Sequence, residues 1–184
     1  YLAELGISAI YLNPVFRAYS NHKYDTGDYL KIDESFGTEE DFRELCQQAE
    51  EYGIHIILDG VFNHTGSDSR YFNKNGTYDS LGAYQSTDSP YSSWYHFSHF
   101  PDQYDSWWGM LNLPQIRKDS EEHQNFIAGE GDSVVRHWIR EGASGWRLDV
   151  VDELCGKFVK KIRHAIKEEN PDSVLIGEVW EDAS

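Results

Sequence analysis

Four short apolar runs, separated by amphipathic stretches, set the framework of the chain. Ile7 to Leu12 follows Gly6 as a β-branched, apolar run, as expected of a strand buried on both faces. Ile54 to Leu58 reads as a second buried strand that ends on Asp59. Gly145 to Val150 reads as a third, and Val174 to Ile176, ending near Glu178, as a fourth. Behind a polar, Tyr-rich loop, Thr38-Glu39-Glu40-Asp41 is a capping box in its Asp variant. Phe42, Leu45, Cys46, Ala49 and Tyr52 then recur at helical spacing up to a stop at Gly53. A second helical stretch runs from about Ser120 to Glu141, interrupted at Gly129-Glu130-Gly131, with Asp132 placed to cap a restart. A third runs from about Asp152 to Glu169, with Phe158, Ile162, Ala165 and Ile166 on one face and Pro171 ending it.

Strands alternating with helices predict an α/β fold with a parallel sheet and right-handed crossovers. At 184 residues the chain is shorter than the roughly 250 of a complete (β/α)₈ barrel. Between Asn63 and about Lys118 the pattern lapses into a segment rich in Ser, Tyr, Asn, Asp and Gly. That is too long for a structureless loop in a compact domain, so a small inserted subdomain is expected. The organisation is then 1–62, an insert at 63–118, and 119–184. Trp94, Tyr95, Trp107 and Trp108 either form the small core of the insert or line a groove beside it, and some can do both.

Composition narrows the partners. Sixteen Lys and Arg stand against 32 Asp and Glu, a net charge of −16 that repels nucleic-acid phosphates and anionic membrane surfaces alike. A neutral ligand suits the chain better, and aromatics at 15% of residues, with six Trp and twelve Tyr, suit sugar faces as well as cores. Cys46 and Cys155 have no metal-site spacing and are expected to be two buried thiols. No run approaches the roughly 18 apolar residues of a membrane span. The opening YLAELGISAIYL reads as a helix end running into a strand, so further sequence is expected ahead of it, and the location, cytoplasmic or secreted, stays open. His96, His99 and Asp102 are read as surface or packing residues and not as a metal cluster. The acidic runs Glu39–Asp41 and Glu121-Glu122 fall in first helical turns, where they complement the dipole.

In parallel α/β sheets functional groups gather where strands end. Asn13, Asp59, Asn63, His64, Arg147, Asp149 and Glu178 all lie at such ends. Asp149 and Glu178 stand one βα unit apart, a spacing compatible with the two carboxylates of glycoside hydrolysis, one attacking carbon and one protonating the leaving oxygen. Arg147 points to the same side of its strand as Asp149 and is expected to keep it ionised, while Val179-Trp180 are expected to raise the pKa of Glu178. Taken alone, the pattern also allows these carboxylates to be N-caps of the following helices.

DGVFNH (59–64), GWRLDVVDE (145–153) and GEVW (177–180) resemble three of the four signature segments of the α-amylase superfamily, in order and at strand ends. AIYLNPVF (9–16), HKYDTGDY (22–29), the FGT before the first helix and LPQI (113–116) extend the likeness over essentially the whole chain. The resemblance implies a partial (β/α)₈ TIM barrel, strands two to five, with the insert after strand three, and a retaining glycoside hydrolase of starch-type α-glucans. It implies Asp149 as nucleophile and Glu178 as general acid/base. Arg147 would hold the nucleophile, His64 would bond sugar hydroxyls, Tyr24 would stack beneath the cleaved sugar, and Asp59 would be mainly structural. Asn63 matches a position that ligates calcium in many α-amylases, so calcium is the one cofactor to consider; none is required. DVVDE resembles neopullulanases, cyclomaltodextrinases and amylopullulanases, but Asp152 and LPQI depart from the neopullulanase pattern and leave substrate preference open. The family's third carboxylate is expected outside this chain, which is expected to fold marginally, associate with another copy or swap elements, and to hydrolyse little alone. The alternative is a noncatalytic glucan-binding or interaction domain, against which stands the retention of Asp149, Glu178, Arg147, Tyr24 and His64.

Overall fold

The computed structural model describes residues 1–180. In chain order the elements are β1 (Ala9–Tyr11), β2 (Phe16–Ala18), β3 (Thr26–Ile32), α1 (Glu39–Glu51), β4 (His55–Gly60), β5 (Phe97–His99), β6 (Gln103–Tyr104), α2 (Glu121–Ala128), α3 (Val134–Arg140), β7 (Gly145–Leu148), α4 (Gly156–Glu169) and β8 (Val174–Gly177). The four predicted strands pair in the order β1-β4-β7-β8, all parallel, as the alternation of strands and helices requires. Register sets Tyr11 beside Ile57, Asp59 beside Arg147, and Arg147 beside Ile176.

The helices cover one face of this sheet. Ile56, Leu58, Trp146 and Leu148 are buried against Phe42, Cys46 and Ala49 of α1, Val135, Trp138 and Ile139 of α3, and Phe158, Ile162 and Ile166 of α4. Phe16 wedges between Trp138 and Trp146, with ring centroids 5.2 and 6.0 Å away. Each such large side chain contributes about 1.5–3 kcal/mol by leaving water. The capping box at Thr38 forms in both directions, and Glu39, Glu40 and Asp41 occupy the first turn of α1.

Several elements depart from the sequence reading. The Tyr-rich loop before Thr38 contains a bulged antiparallel hairpin, β2–β3, which the period-two run Thr26–Ile32 only half announces. The helix after Gly131 starts from Ser133, while Asp132 instead bonds Arg140 at the surface. The last helix begins at Gly156, not Asp152, because Val151–Glu153 form a separate 3₁₀ turn and Leu154 is extended. β1 and β8 are not buried on both faces: Tyr11 is 40% exposed and Ile176 46%, since each lies at a sheet edge. Cys46 is buried but Cys155 only partly so, and both are free thiols.

Residues 63–118 form short turns, two 3₁₀ turns and the β5–β6 ribbon. Tyr71, Phe72, Trp94, Tyr95 and Tyr104 are buried there. This core is continuous with the hairpin: Tyr71 stacks on both Trp94 and Tyr29, at 5.0 and 5.4 Å. Tyr29 in turn donates its hydroxyl proton to the Val61 carbonyl at 2.7 Å, and its own carbonyl accepts the Trp138 indole N–H at 2.8 Å. Gly66 lies so close to Asp25 that a Cβ would meet its carbonyl oxygen at 2.6 Å, so only glycine lets the segment bond the hairpin at Thr26. Among the described residues no helix is long and apolar enough to cross a membrane.

Candidate active site

Leu148 and Trp146 face the helices, so alternation turns Arg147 to the opposite, open face of the sheet. Its guanidinium gathers three carboxylates. Nη1 donates to Asp59 Oδ1 and Oδ2 at 2.8 and 2.9 Å and to Asp149 Oδ1 at 3.0 Å, while Nη2 lies 2.8 Å from Glu178 Oε1. Parallel register brings them there: Asp59 and Arg147 are partners, and Asp149 and Glu178 follow at the carboxyl ends of β7 and β8. Main-chain bonds continue the ladder past both ends, Asp149 N–H to the Gly60 carbonyl at 3.1 Å and Glu178 N–H to the Leu148 carbonyl at 3.0 Å.

The chain turns sharply after Asp149. Val150 has φ 44°, a left-handed conformation that is costly for a β-branched residue. The turn aims successive amides at β8: Val150 N–H donates to Glu178 Oε2 at 3.1 Å and Val151 N–H to the Glu178 carbonyl at 2.9 Å.

This wiring reverses the expected electrostatics. Burial raises the Asp149 pKa, the Asp59 charge raises it further, and Arg147 only partly opposes them, so it is pushed up to about 7. Burial also acts upward on Glu178, but its carboxylate is 30% exposed and receives the Val150 amide, the Trp180 side chain and the Arg147 charge. Its pKa is therefore lowered, not raised. The apolar neighbours expected to raise it do not enclose it: Val179 and Trp180 are 43% and 55% exposed. Burial raises Asp59 too, offset in part by the Tyr11 hydroxyl and Arg147, both of which donate to it. Burial works against the Arg147 charge, yet the surrounding carboxylates hold its pKa above the ordinary value.

His64 is buried, which pushes its pKa down to about 4 and keeps the ring neutral. Its Nε2 lies 3.0 Å from the Tyr24 carbonyl, so Nε2 carries the proton and the buried, unpartnered Nδ1 is an acceptor. The Trp107 ring lies over His64 at 5.0 Å. Tyr24, on the hairpin, brings its phenol against Tyr11 and Asp59.

Asn63 donates from Nδ2 to Glu153 Oε2 at 3.4 Å, leaving Oδ1 buried and without a partner. One orphaned amide oxygen is far from the six to eight oxygens calcium takes. The small pocket beside it is lined by Glu153 and Gln124 but also by the cations Arg117 and Lys118 and by Phe62 and Phe158, and no group of three His, Cys, Asp or Glu gathers among the described residues. These residues do not fit calcium. Asn13 is exposed and lines an apolar groove with Leu12 and Phe36, outside the carboxylate cluster. His96 pairs with Asp105 at 3.1 Å and Asp102 accepts from Tyr84 at 2.6 Å, as solvent-facing residues do.

Sequence reasoning missed two participants. Tyr11 lies on the same sheet face as Asp59, a position that period-two alternation through β1 marks. Glu153 accepts the indole N–H groups of Trp107 and Trp108, at 3.0 and 3.4 Å, contacts no local pattern encodes.

A family model described as alpha amylase, catalytic domain, matches residues 1–184. The chain is 46% identical over 202 residues to an amylopullulanase of Thermoanaerobacterium saccharolyticum, with all of this chain covered and 16% of that relative. It is 39% identical to a cyclomaltodextrinase of Geobacillus thermopakistaniensis, again over the full chain but 30% of the relative. Among solved structures, the cyclic α-maltosyl-(1→6)-maltose hydrolase of Arthrobacter globiformis superposes with a TM-score of 0.86 at 32% identity, covering 98% of this chain and 40% of that one. The chain thus spans less than half the length of each of these proteins. The parallel sheet, its helices and the match along its whole length lead to one conclusion: the chain belongs to the α-amylase catalytic-domain family.

Proposed function

We propose that the chain forms strands two to five of a (β/α)₈ barrel, with 63–118 as the inserted subdomain. In this reading the barrel is that of a retaining glycoside hydrolase cutting α-glucosidic linkages of starch-type glucans such as maltooligosaccharides, pullulan or cyclodextrins. One observation carries the reading: a single guanidinium, Arg147, holds Asp59, Asp149 and Glu178 at the carboxyl ends of three adjacent strands. Double displacement needs its two carboxyl groups close together, and Asp149 and Glu178 share one guanidinium.

Asp149 is the nucleophile. Its Oδ1 is tied to Arg147, and Oδ2 attacks the anomeric carbon as the glycosidic bond breaks. Glu178 gives its proton to the departing oxygen, then takes one from the water that cleaves the glycosyl ester. The free-site electrostatics fit this sequence if the two carboxyls share one proton. A bound glucan displaces water from the exposed Glu178 and raises its pKa. Once Glu178 is protonated, one of the charges that raise Asp149 is gone, which favours its ionised form, although burial and the Asp59 charge still act against it. The proton moves to the acid as substrate arrives. Tyr24 lies beneath the cleaved sugar, while His64, whose Nε2 bonds the Tyr24 carbonyl and whose Nδ1 is buried, holds that loop in place.

The test is Asp149→Asn in the full-length protein, assayed on starch, pullulan and cyclodextrins with product anomers followed by NMR. Turnover should vanish while glucan binding persists, and the wild type should release the α-anomer. Retained turnover in the variant, or release of the β-anomer, overturns the reading.

A further inference from the structure

Away from the carboxylate cluster, a crevice of about 160 Å³ opens between the β2–β3 hairpin and the insert. No member of the cluster lines it. Tyr24 brings its phenol to Asp59, whereas its neighbour Asp25 faces the crevice and accepts from the Ser20 N–H at 3.0 Å. A Cβ on Gly27 would come within 3.0 Å of the Tyr78 hydroxyl oxygen, so glycine there lets the phenol of the insert reach the hairpin.

The lining leaves polar groups unused. Arg17 lies 5.4 Å from the centre of the Tyr78 ring, and among the described residues its guanidinium forms neither an ion pair nor a hydrogen bond, although acids outnumber bases two to one in the chain. The Tyr78 hydroxyl has no hydrogen-bond partner among them either. Asp68 accepts from Thr77 Oγ1 at 2.7 Å through Oδ1, which leaves Oδ2 free. Tyr19 forms the rim with its ring 89% exposed.

These groups select a class of ligand. An anion would meet Asp25 and Asp68, and a cation would meet Arg17, so each charge finds a like charge in the wall. A neutral polyol meets no such penalty. The hydroxyls of a pyranose both donate and accept, which suits a guanidinium and a phenol beside a free carboxylate oxygen, and its C–H face packs on a bare aromatic ring. The crevice is smaller than the roughly 300–1,000 Å³ that encloses a drug-sized ligand, so it takes one sugar ring.

We infer that Tyr19, Arg17, Tyr78 and Asp68 form a second glucan site, separate from the carboxylate cluster, which holds one glucosyl residue of a long chain with its face on Tyr19. The inference rests on the glycosidase reading above, which supplies the kind of sugar. A polysaccharide held at both places gains affinity through effective concentration. A short oligosaccharide that fills only the cluster gains nothing.

Amylopectin and maltotriose separate the two cases in the full-length protein. With Tyr19→Ala, the Kd for amylopectin, read from retardation in native gels, should rise about three- to tenfold, the effect of losing one aromatic contact. KM for starch should rise with it, while kcat/KM for maltotriose stays within about twofold. Tyr19→Phe keeps the ring and should bind as the wild type does. Arg17→Ala should weaken amylopectin binding as Tyr19→Ala does; if it does not fold, the two Tyr19 variants carry the test, since a side chain so exposed adds little to stability. Unchanged amylopectin binding in Tyr19→Ala, an equal loss in Tyr19→Phe, or a loss on maltotriose as large as that on starch overturns the inference. The wild type keeps the failures apart. If it hydrolyses neither starch nor maltotriose, the glycosidase reading falls; if it hydrolyses both while Tyr19→Ala binds amylopectin equally well, only the second site falls.

Discussion

Arg147 Nη2 lies 2.8 Å from Glu178 Oε1 while the same guanidinium holds Asp149 through Nη1, so one cation sets the charge of both carboxylates. Replacing it with Met should therefore do two things. The Asp59 side chain, fully buried, is left without its cation, and removing one partner of a buried pair costs about 3–5 kcal/mol. Asp149 and Glu178 also lose a shared donor, so kcat/KM should fall by about 10²–10³-fold. Arg147→Lys should recover part of the stability but little activity, because one ammonium cannot reproduce the fork. Urea unfolding and glucan hydrolysis of the three proteins check both effects.

A second expectation concerns pH. Asp149 titrates near 7 in the folded chain, against about 3.9 unfolded. The folded state therefore binds more protons between these values, and this residue's contribution to stability declines as pH rises from about 4 to 7. Asp149→Asn removes the decline. Its urea midpoint relative to wild type should grow across that window and level off above it. A constant difference from pH 5 to 8 would show that Asp149 is not raised.

Tyr11 supplies a third test, since its hydroxyl donates to Asp59 beneath the cluster. Tyr11→Phe takes away one donor from a buried carboxylate that already leans toward protonation, and should cost about 1–2 kcal/mol. Because Arg147 still grips both Asp59 oxygens, hydrolysis should drop only a fewfold. A loss as large as that of Arg147→Met would place Tyr11 in the chemistry itself.

These residues also mark where sequence reasoning ends. Asp59, Arg147, Asp149 and Glu178 were legible because each closes an apolar run, and parallel register turns strand ends into neighbours. The capping box at Thr38 was legible for the same reason, being local. Glu153 was not, since its partners come from Trp107 and Trp108, brought to it only by the folded insert. The pKa order of Asp149 and Glu178 was misread because it depends on which carboxylate stays open to water and which amide the left-handed Val150 presents. The β2–β3 hairpin escaped because bulges between Phe16, Arg17 and Ala18 break the alternation that announces a strand.

That hairpin yields the last prediction. Lys23, itself left-handed at φ 65°, is buried with its ammonium 2.9 Å from Asp33 Oδ2, and the next residue, Tyr24, offers its carbonyl to His64. Burial alone would raise Asp33, but the Ser35 hydroxyl, the Lys23 ammonium and main-chain amides of Ser35 and Ala18 outweigh it and push the carboxyl down to about 2. A depressed carboxylate stabilises the fold above its unfolded pKa near 3.9, and that stability is lost as pH falls toward 2. Lys23→Met should cost about 3 kcal/mol at pH 7, where it strands a buried charge. The deficit should shrink toward pH 3, as the variant's Asp33, no longer held down by the ammonium, takes up a proton. Since Tyr24 rides on this anchor, KM for maltooligosaccharides should rise more than kcat falls. A deficit equal at pH 7 and pH 3 would mean that Lys23 acts by packing its stem, and not through its charge on Asp33.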